Sequence, residues 1–201
     1  MTDRKDEKHK KAMQKQKTNV DTSVAQANID RAVAILLTGN GKGKSSSAFG
    51  MVMRALGYGH RVGVVQFIKG AMLSGEELYL REHCPQVQFY QMGTGFTWDT
   101  QDRQSDIEAA ERTWAVAKSY LEDTSLDLVV LDELTYMLSF DYLNEDAVLS
   151  AIQNRPNDQS VVVTGRGGGK RLQDIMDTVS EVKDVKHAFN AGIKARKGVD
   201  F

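Results

Sequence analysis

The sequence predicts an α/β fold, a mostly parallel sheet with helices on both faces. Three observations predict it. From residue 32 onward, short apolar runs take turns with longer segments of helical periodicity. Several runs, such as "AVAILL" and "LVVL", are apolar at every position, as strands covered on both sides are. The runs end at glycines or polar residues, where each connection turns back toward the next helix.

The elements follow in order. "AVAILLT" is the first strand, and "KSSSAFGMVMRALGYG" is a helix that ends at Gly57 and Gly59. "RVGVVQFIK" is a second strand. "SGEELYLREH" is a short helix with Ser74 as its cap. "VQFYQM" is a third strand, followed by the loop "GTGFTWDTQD". The long segment "RQSDIEAAERTWAVAKSYLED" carries Ile107, Ala110, Trp114, Ala117 and Leu121 on one helical stripe. "LDLVVLDE" is a fourth strand, "NEDAVLSAIQN" a helix, "SVVVTG" a fifth strand and "KRLQDIMDT" a helix. "VSEVKDVKHAF" supplies a last strand. No internal repeat is present.

The 201 residues suit one domain with an arm, and 41% hydrophobic content is enough for a core. Residues 1–17 hold seven basic and three acidic side chains, a net of +4, whereas the rest holds 19 against 24, a net of −5. An acidic body argues against nonspecific nucleic-acid binding. The expected layout is a flexible basic arm over 1–30, solvated through residue 17. Residues 18–30 place Val20, Val24 and Ala27 at helical spacing, as a short amphipathic helix laid against the body or a partner would, and the α/β domain covers 31–201. The single cysteine, Cys84, excludes an internal disulfide and a cysteine-based zinc site. No apolar run reaches the ~18 residues a membrane span needs. The N-terminus lacks a secretory core, so the expected compartment is the cytoplasm.

Four stretches carry chemistry. "TGNGKGKSS" lies between a buried strand and a helix. Gly39, Gly41 and Gly43 let main-chain amides converge on an anion, and the helix beginning near Lys44 adds its positive end. Lys44 supplies a charge for phosphates, Lys42 a second one, and Ser45 a hydroxyl for Mg²⁺. The Walker A pattern G-x-x-x-x-G-K-[ST] would place its first glycine at position 38, which is Thr38. The loop is therefore one residue short, which points to a different register for the polyphosphate. A plain glycine-rich turn with surface lysines is the alternative.

The second stretch is "LDLVVLDELTY". Leu128 to Leu131 lead to Asp132 and Glu133, the Walker B arrangement of an acid at the end of a buried strand. An acid pair placed for the dipole of the next helix is the alternative, and the glycine loop in the same chain favours metal binding. Together the two stretches give the α/β class its type, P-loop NTPase-like and RecA-like. Third, Phe96 and Trp98 in "GTGFTW" either fold inward as core or face a flat apolar ligand, and the residue pattern alone favours core. Fourth, Thr164 and Arg166 in "VVVTGRGGGKR" stand at the ligand-binding edge of a sheet. Arg166 either meets a substrate or is an exposed loop arginine. Arg54, about two and a half turns past Lys44, either reaches back to a nucleotide or pairs with an acid. His9, His60, His83 and His187 share no metal-ligand spacing, and no nucleophile motif is found.

Taken together, "TGNGKGKSSSAFG", "VGVVQFIKG", "GFTW", "VVLDELTY", "VVVTGRG" and "VKHAFNAGIKARKGVDF" resemble the ATP:corrinoid adenosyltransferases of the cob(I)yrinic acid a,c-diamide type. The resemblance runs from about residue 30 to the last, in matching order. Each motif is modest alone, and the set is specific. It implies that the shortened loop is the family's normal form and holds ATP in the reverse sense, with the γ-phosphate where other P-loop proteins hold the α. It implies attack by a Co(I) corrinoid on the 5′-carbon of ATP, with departure of triphosphate.

By the same resemblance, Asn40 to Ser46 bind triphosphate, Ser45 and Glu133 hold Mg²⁺ (Mn²⁺ being the alternative) with Asp132 nearby, and Arg54 contacts the nucleotide. Phe96 and Trp98 become an apolar pair beside the corrin that keeps cobalt four-coordinate, which reverses the core reading. Residues 18–30 become a lid over bound corrinoid. A homodimer and a reduced flavoprotein electron donor are implied partners. Ser45 and Ser46 stand where threonines are commoner. The run Gly167 to Gly169 and the basic arm also depart from the pattern, on the corrinoid side of the site.

Overall fold

The computed structural model describes residues 2–68, 73–93 and 102–200. These form two units, 1–31 and 32–201. The first unit is one helix, α1 (Thr2–Gln26). The sequence reading has a solvated arm to residue 17 and a short helix after it, and the structure has one continuous helix instead. Its residues explain the continuity. Lys, Gln, Glu and Ala are strong helix formers, and neither Gly nor Pro interrupts them. The described side chains of α1 are exposed.

The second unit carries six strands: β1 (Ala34–Thr38), β2 (Val62–Gln66), β3 (Gln88–Gln91), β4 (Leu128–Asp132), β5 (Ser160–Thr164) and β6 (Thr178–Glu181). All pair in parallel, in the order β3-β2-β4-β5-β1-β6. Helices α2 (Lys44–Gly57), α3 (Gly75–His83), α4 (Arg103–Glu122), α5 (Leu134–Ser139), α6 (Glu145–Gln153) and α7 (Gly169–Asp174) connect them. A 3₁₀ turn at Ala188–Ala191 follows the last strand. The α/β expectation therefore holds. Helix α5 is absent from the sequence reading, because its six residues are too few to show a period.

Successive strand residues face opposite sides, so an all-apolar strand must be covered twice. On one side Leu36, Val65, Val129, Leu131, Val161 and Val163 pack with α4, α5 and α6. On the other Leu37, Val62, Val64, Leu128, Val130 and Val162 pack with Ala48, Phe49 and Val52 of α2 and Leu80 of α3. Ser74, Asp102 and Asn144 cap α3, α4 and α6 through their side chains. Gly63 in β2 makes room for α4, since a Cβ there would lie 2.8 Å from the ring of Tyr120 and 3.0 Å from Leu126.

The Gly63→Val variant is expected to lose about 1–3 kcal/mol of stability through overpacking against Tyr120. Urea unfolding followed by circular dichroism reads this as a lowered midpoint with an unchanged slope.

Candidate active site

The four central strands each end in a buried polar residue. Thr38 closes β1, Gln66 β2, Asp132 β4 and Thr164 β5, at 8%, 4%, 2% and 0% exposure. Their registers align, with Gln66 opposite Asp132. A buried carboxylate is stable only when hydrogen-bonded. Asp132 meets that need on both oxygens. Gln66 Nε2 donates to Oδ2 at 2.8 Å, and the Thr164 hydroxyl donates to Oδ1 at 2.6 Å. The same Thr164 oxygen accepts from the Glu133 amide at 2.9 Å. Around it, Thr38 donates its hydroxyl to the Gly167 carbonyl and Thr135 to the Arg166 carbonyl. The row ties the glycine loop, the acid pair and the 165–169 turn together.

Glu133 differs from its neighbour. Its backbone sits in the left-handed region at φ 60, unusual for a residue with a side chain. The residue is partly exposed, yet Oε2 is shielded and has no hydrogen-bond partner among the described residues. Burial first, and the Asp132 charge second, push its carboxyl up to about 7, against the opposing pull of Lys44 and Arg166. An orphaned, desolvated carboxylate oxygen fits a cation, and Ser45, partly exposed in the first turn of α2, supplies a hydroxyl. Mg²⁺ is commonly held by one or two protein oxygens plus substrate phosphates and water. The donor set therefore fits Mg²⁺ through Glu133 and Ser45. Asp132 has both oxygens already engaged. Among the described residues no cluster of three or more His, Cys, Asp or Glu could hold a metal alone.

The glycine loop joins β1 to α2. Its outer side is pressed on the chain after β6. A Cβ on Gly41 would lie 2.6 Å from the Lys183 carbonyl oxygen, and one on Gly39 would lie 2.9 Å from the Val182 nitrogen. The Gly41 amide donates to the Val182 carbonyl, and the Val182 amide donates to Thr38. Unlike α3, α4 and α6, helix α2 has no side-chain cap, because its cap position is Gly43 at φ 120. No acid occupies its first turn either. Its amides are thus left for an anion from outside.

Lys44 is 7% exposed, and its ammonium donates to the Gly41 carbonyl at 2.9 Å. Burial lowers its pKa, Glu133 and Asp132 work against that, and Arg166 works with it. Lys44, Asp132, Glu133 and Arg166 therefore share one electrostatic field, which places the exposed Arg166 at the site. Asn40, Lys42 and Ser46 are exposed on the loop and first turn. Arg54 is exposed in the last turn of α2, roughly 15 Å along the axis from Lys44. Phe96 and Trp98 lie outside the described residues. The sequence reading had no role for Gln66, Thr38 or Thr135. Their signal was a polar residue closing an apolar strand or opening the helix behind it.

Two outcomes follow from this arrangement. A folded-state pKa near 7, above the unfolded value of 4.5, means that Glu133 adds stability at low pH and loses it as pH rises toward and through 7. Glu133→Gln is expected to be more stable than the parent at pH 8, with a smaller difference at pH 5, in thermal unfolding across that range without metal. Thr164→Val leaves Asp132 Oδ1 and the Glu133 amide without their partner. It is expected to cost about 1–3 kcal/mol, with Thr164→Ser restoring most of it in the same measurement.

Comparison with known proteins shows the family. The model of the ATP:corrinoid adenosyltransferase BtuR/CobO/CobP family matches residues 30–201. A corrinoid adenosyltransferase of Pseudomonas aeruginosa is 55% identical over 197 residues, covering 98% of this chain and 97% of its own length. One of Escherichia coli K12 is 50% identical over 98% of this chain and 99% of its own. Corrinoid adenosyltransferase CobA of Salmonella typhimurium is likewise 50% identical with the same coverage. A buried lysine under a short glycine loop, faced by a strand-end acid pair, thus sits within end-to-end similarity, and the chain belongs to the ATP:corrinoid adenosyltransferase family.

Proposed function

We propose that this protein transfers the 5′-deoxyadenosyl group of ATP to the cobalt of a Co(I) corrinoid and releases triphosphate, with the 39–46 loop as the seat of the departing triphosphate. Family membership supports the reaction. The observation that carries the assignment of the loop is Lys44, a nearly buried ammonium beneath uncapped helix amides.

The chemistry balances without an acid or base from the protein. The corrinoid cobalt donates its electron pair to C5′, the Co–C bond forms, and the C5′–O bond breaks. The electron pair of that bond leaves on triphosphate. The protein's task is to stabilise charge that develops on the leaving group. The amides of the first turn, Lys44 and Lys42 do so, with Arg166 beside them, whereas the Gly41 amide is held by the Val182 carbonyl and takes no part. This accounts for the lack of a nucleophile motif in the sequence. Mg²⁺, held by Glu133 and Ser45 with Asp132 behind, supplies further positive charge to the phosphates when bound. Mn²⁺ suits the same oxygens. The missing loop residue supports the reversed reading of ATP, with the γ-phosphate where other P-loop proteins hold the α, since a shorter loop holds the polyphosphate in another register.

The remaining roles rest on the family. Phe96 and Trp98 stand beside the corrin and keep the lower axial position of cobalt free of water. Arg54 meets the nucleotide. A homodimer, a reduced flavoprotein as electron donor and a cytoplasmic setting complete the reading. The single cysteine and the lack of any described helix long and apolar enough to cross a membrane accord with that setting.

Incubation of the protein with ATP, Mg²⁺ and chemically reduced cobalamin is expected to give free tripolyphosphate and a light-sensitive Co–C product. ADP and phosphate in their place would refute the reading. Lys44→Ala is expected to lower kcat/KM by about 100-fold or more, the scale on which removal of one charge-stabilising group acts. Trp98→Ala is expected to remove the four-coordinate Co(II) spectrum while ATP affinity stays within about twofold.

A further inference from the structure

The stretch after β6 is fastened to the glycine loop at two points. The first is the main-chain contact of Val182 with Thr38 and Gly41. The second is an ion pair, Lys42 Nζ to Asp200 Oδ1 at 3.0 Å. The Asp200 carboxylate is itself aimed, because Oδ2 accepts from the Arg196 amide at 2.8 Å. That amide, with Lys42 next, holds the Asp200 carboxyl below the usual range, so it carries its charge at neutral pH. The charge is out of place. Between 182 and 200 the chain has five Lys or Arg and only two acids, Asp184 and Asp200. A tail that merely enlarged an anion site would bring one of its cations to the loop. This one brings a carboxylate to the more exposed of the two loop lysines.

We infer that Asp200 is an internal competitor for the triphosphate, and that its recapture of Lys42 speeds release of the leaving group after adenosyl transfer. The inference rests on the reading of the 39–46 loop as the triphosphate seat. Lys42 has one ammonium, and a tetra-anion on the loop and the Asp200 carboxylate both draw on it. A product left on such a cradle binds more tightly than ATP needs to, since all its charge is free. A carboxylate tethered beside the cradle offsets part of that grip at the step where it is harmful. Lys44 plays no part in this exchange. It is buried and donates to the Gly41 carbonyl, whereas the ion pair with Asp200 is made by Lys42.

The test uses inorganic tripolyphosphate on the full chain. Asp200→Asn keeps an oxygen for the Arg196 amide and removes only the charge. Titration calorimetry is expected to show tripolyphosphate bound about two- to fivefold more tightly by this variant, the worth of one half-exposed ion pair. The gain should shrink at high salt. In rapid-mixing experiments tripolyphosphate should leave the variant more slowly by a similar factor. In a Lys42→Gln background, Asp200→Asn is expected to change affinity by much less than in the parent. Equal or weaker binding by Asp200→Asn, or an undiminished effect when Lys42 is absent, overturns the inference and leaves the loop assignment standing. Failure of the parent protein to bind tripolyphosphate at all overturns the loop assignment itself.

Discussion

One buried carboxylate organises the site. Asp132 lies at the end of β4 with almost no contact with water, and a charge in that position must have both oxygens satisfied. Gln66 from β2 and Thr164 from β5 satisfy them, which locks three adjacent strand ends into one register. Thr164 cannot serve Asp132 without also fixing the next residue, because its oxygen receives the Glu133 amide. Glu133 is thereby set at a backbone angle few side chains adopt, with one carboxylate oxygen left without a partner. The placement of that oxygen follows from a constraint two bonds away in the network.

The same edge shows how charge is divided. Asp132 is held on both oxygens by uncharged donors and remains fixed. Glu133 and Lys44 are close enough to shift one another, and Arg166 acts on both. The helix that could have quenched its own amides with a side-chain oxygen begins at a glycine instead. Positive potential is thus conserved on one side of the crevice and a lone carboxylate on the other. Such a place suits a magnesium-bound polyphosphate.

Much of this was legible in the chain. Strands such as "LVVLD" and "SVVVT" announce burial on both faces, and their order with the helices gives the parallel sheet. The glycine loop, Lys44 and the acid pair stand out because rare residue types sit at strand ends. The network beneath them was less visible. Gln66 and Asp132 are far apart in sequence, and only strand order makes them neighbours. The Lys42–Asp200 pair depends on the path of a tail with no helical or strand pattern of its own. The six residues of α5 are too short for a period to emerge. In the N-terminal helix the pattern misled in the other direction. Uniform polarity reads as coil, whereas helix propensity summed over 25 residues favours order.

The wall behind the loop has a bearing on its length. With Gly39 and Gly41 lying flush on the main chain of residues 182 and 183, the turn has no slack on its outer side. An insertion that rebuilt the commoner P-loop spacing would have to push inward, toward Lys44 and the start of α2, or prise β6 from its neighbour. The shortened turn and the sixth strand are therefore a matched pair. A longer turn fits this sheet only if the chain after β6 takes another path.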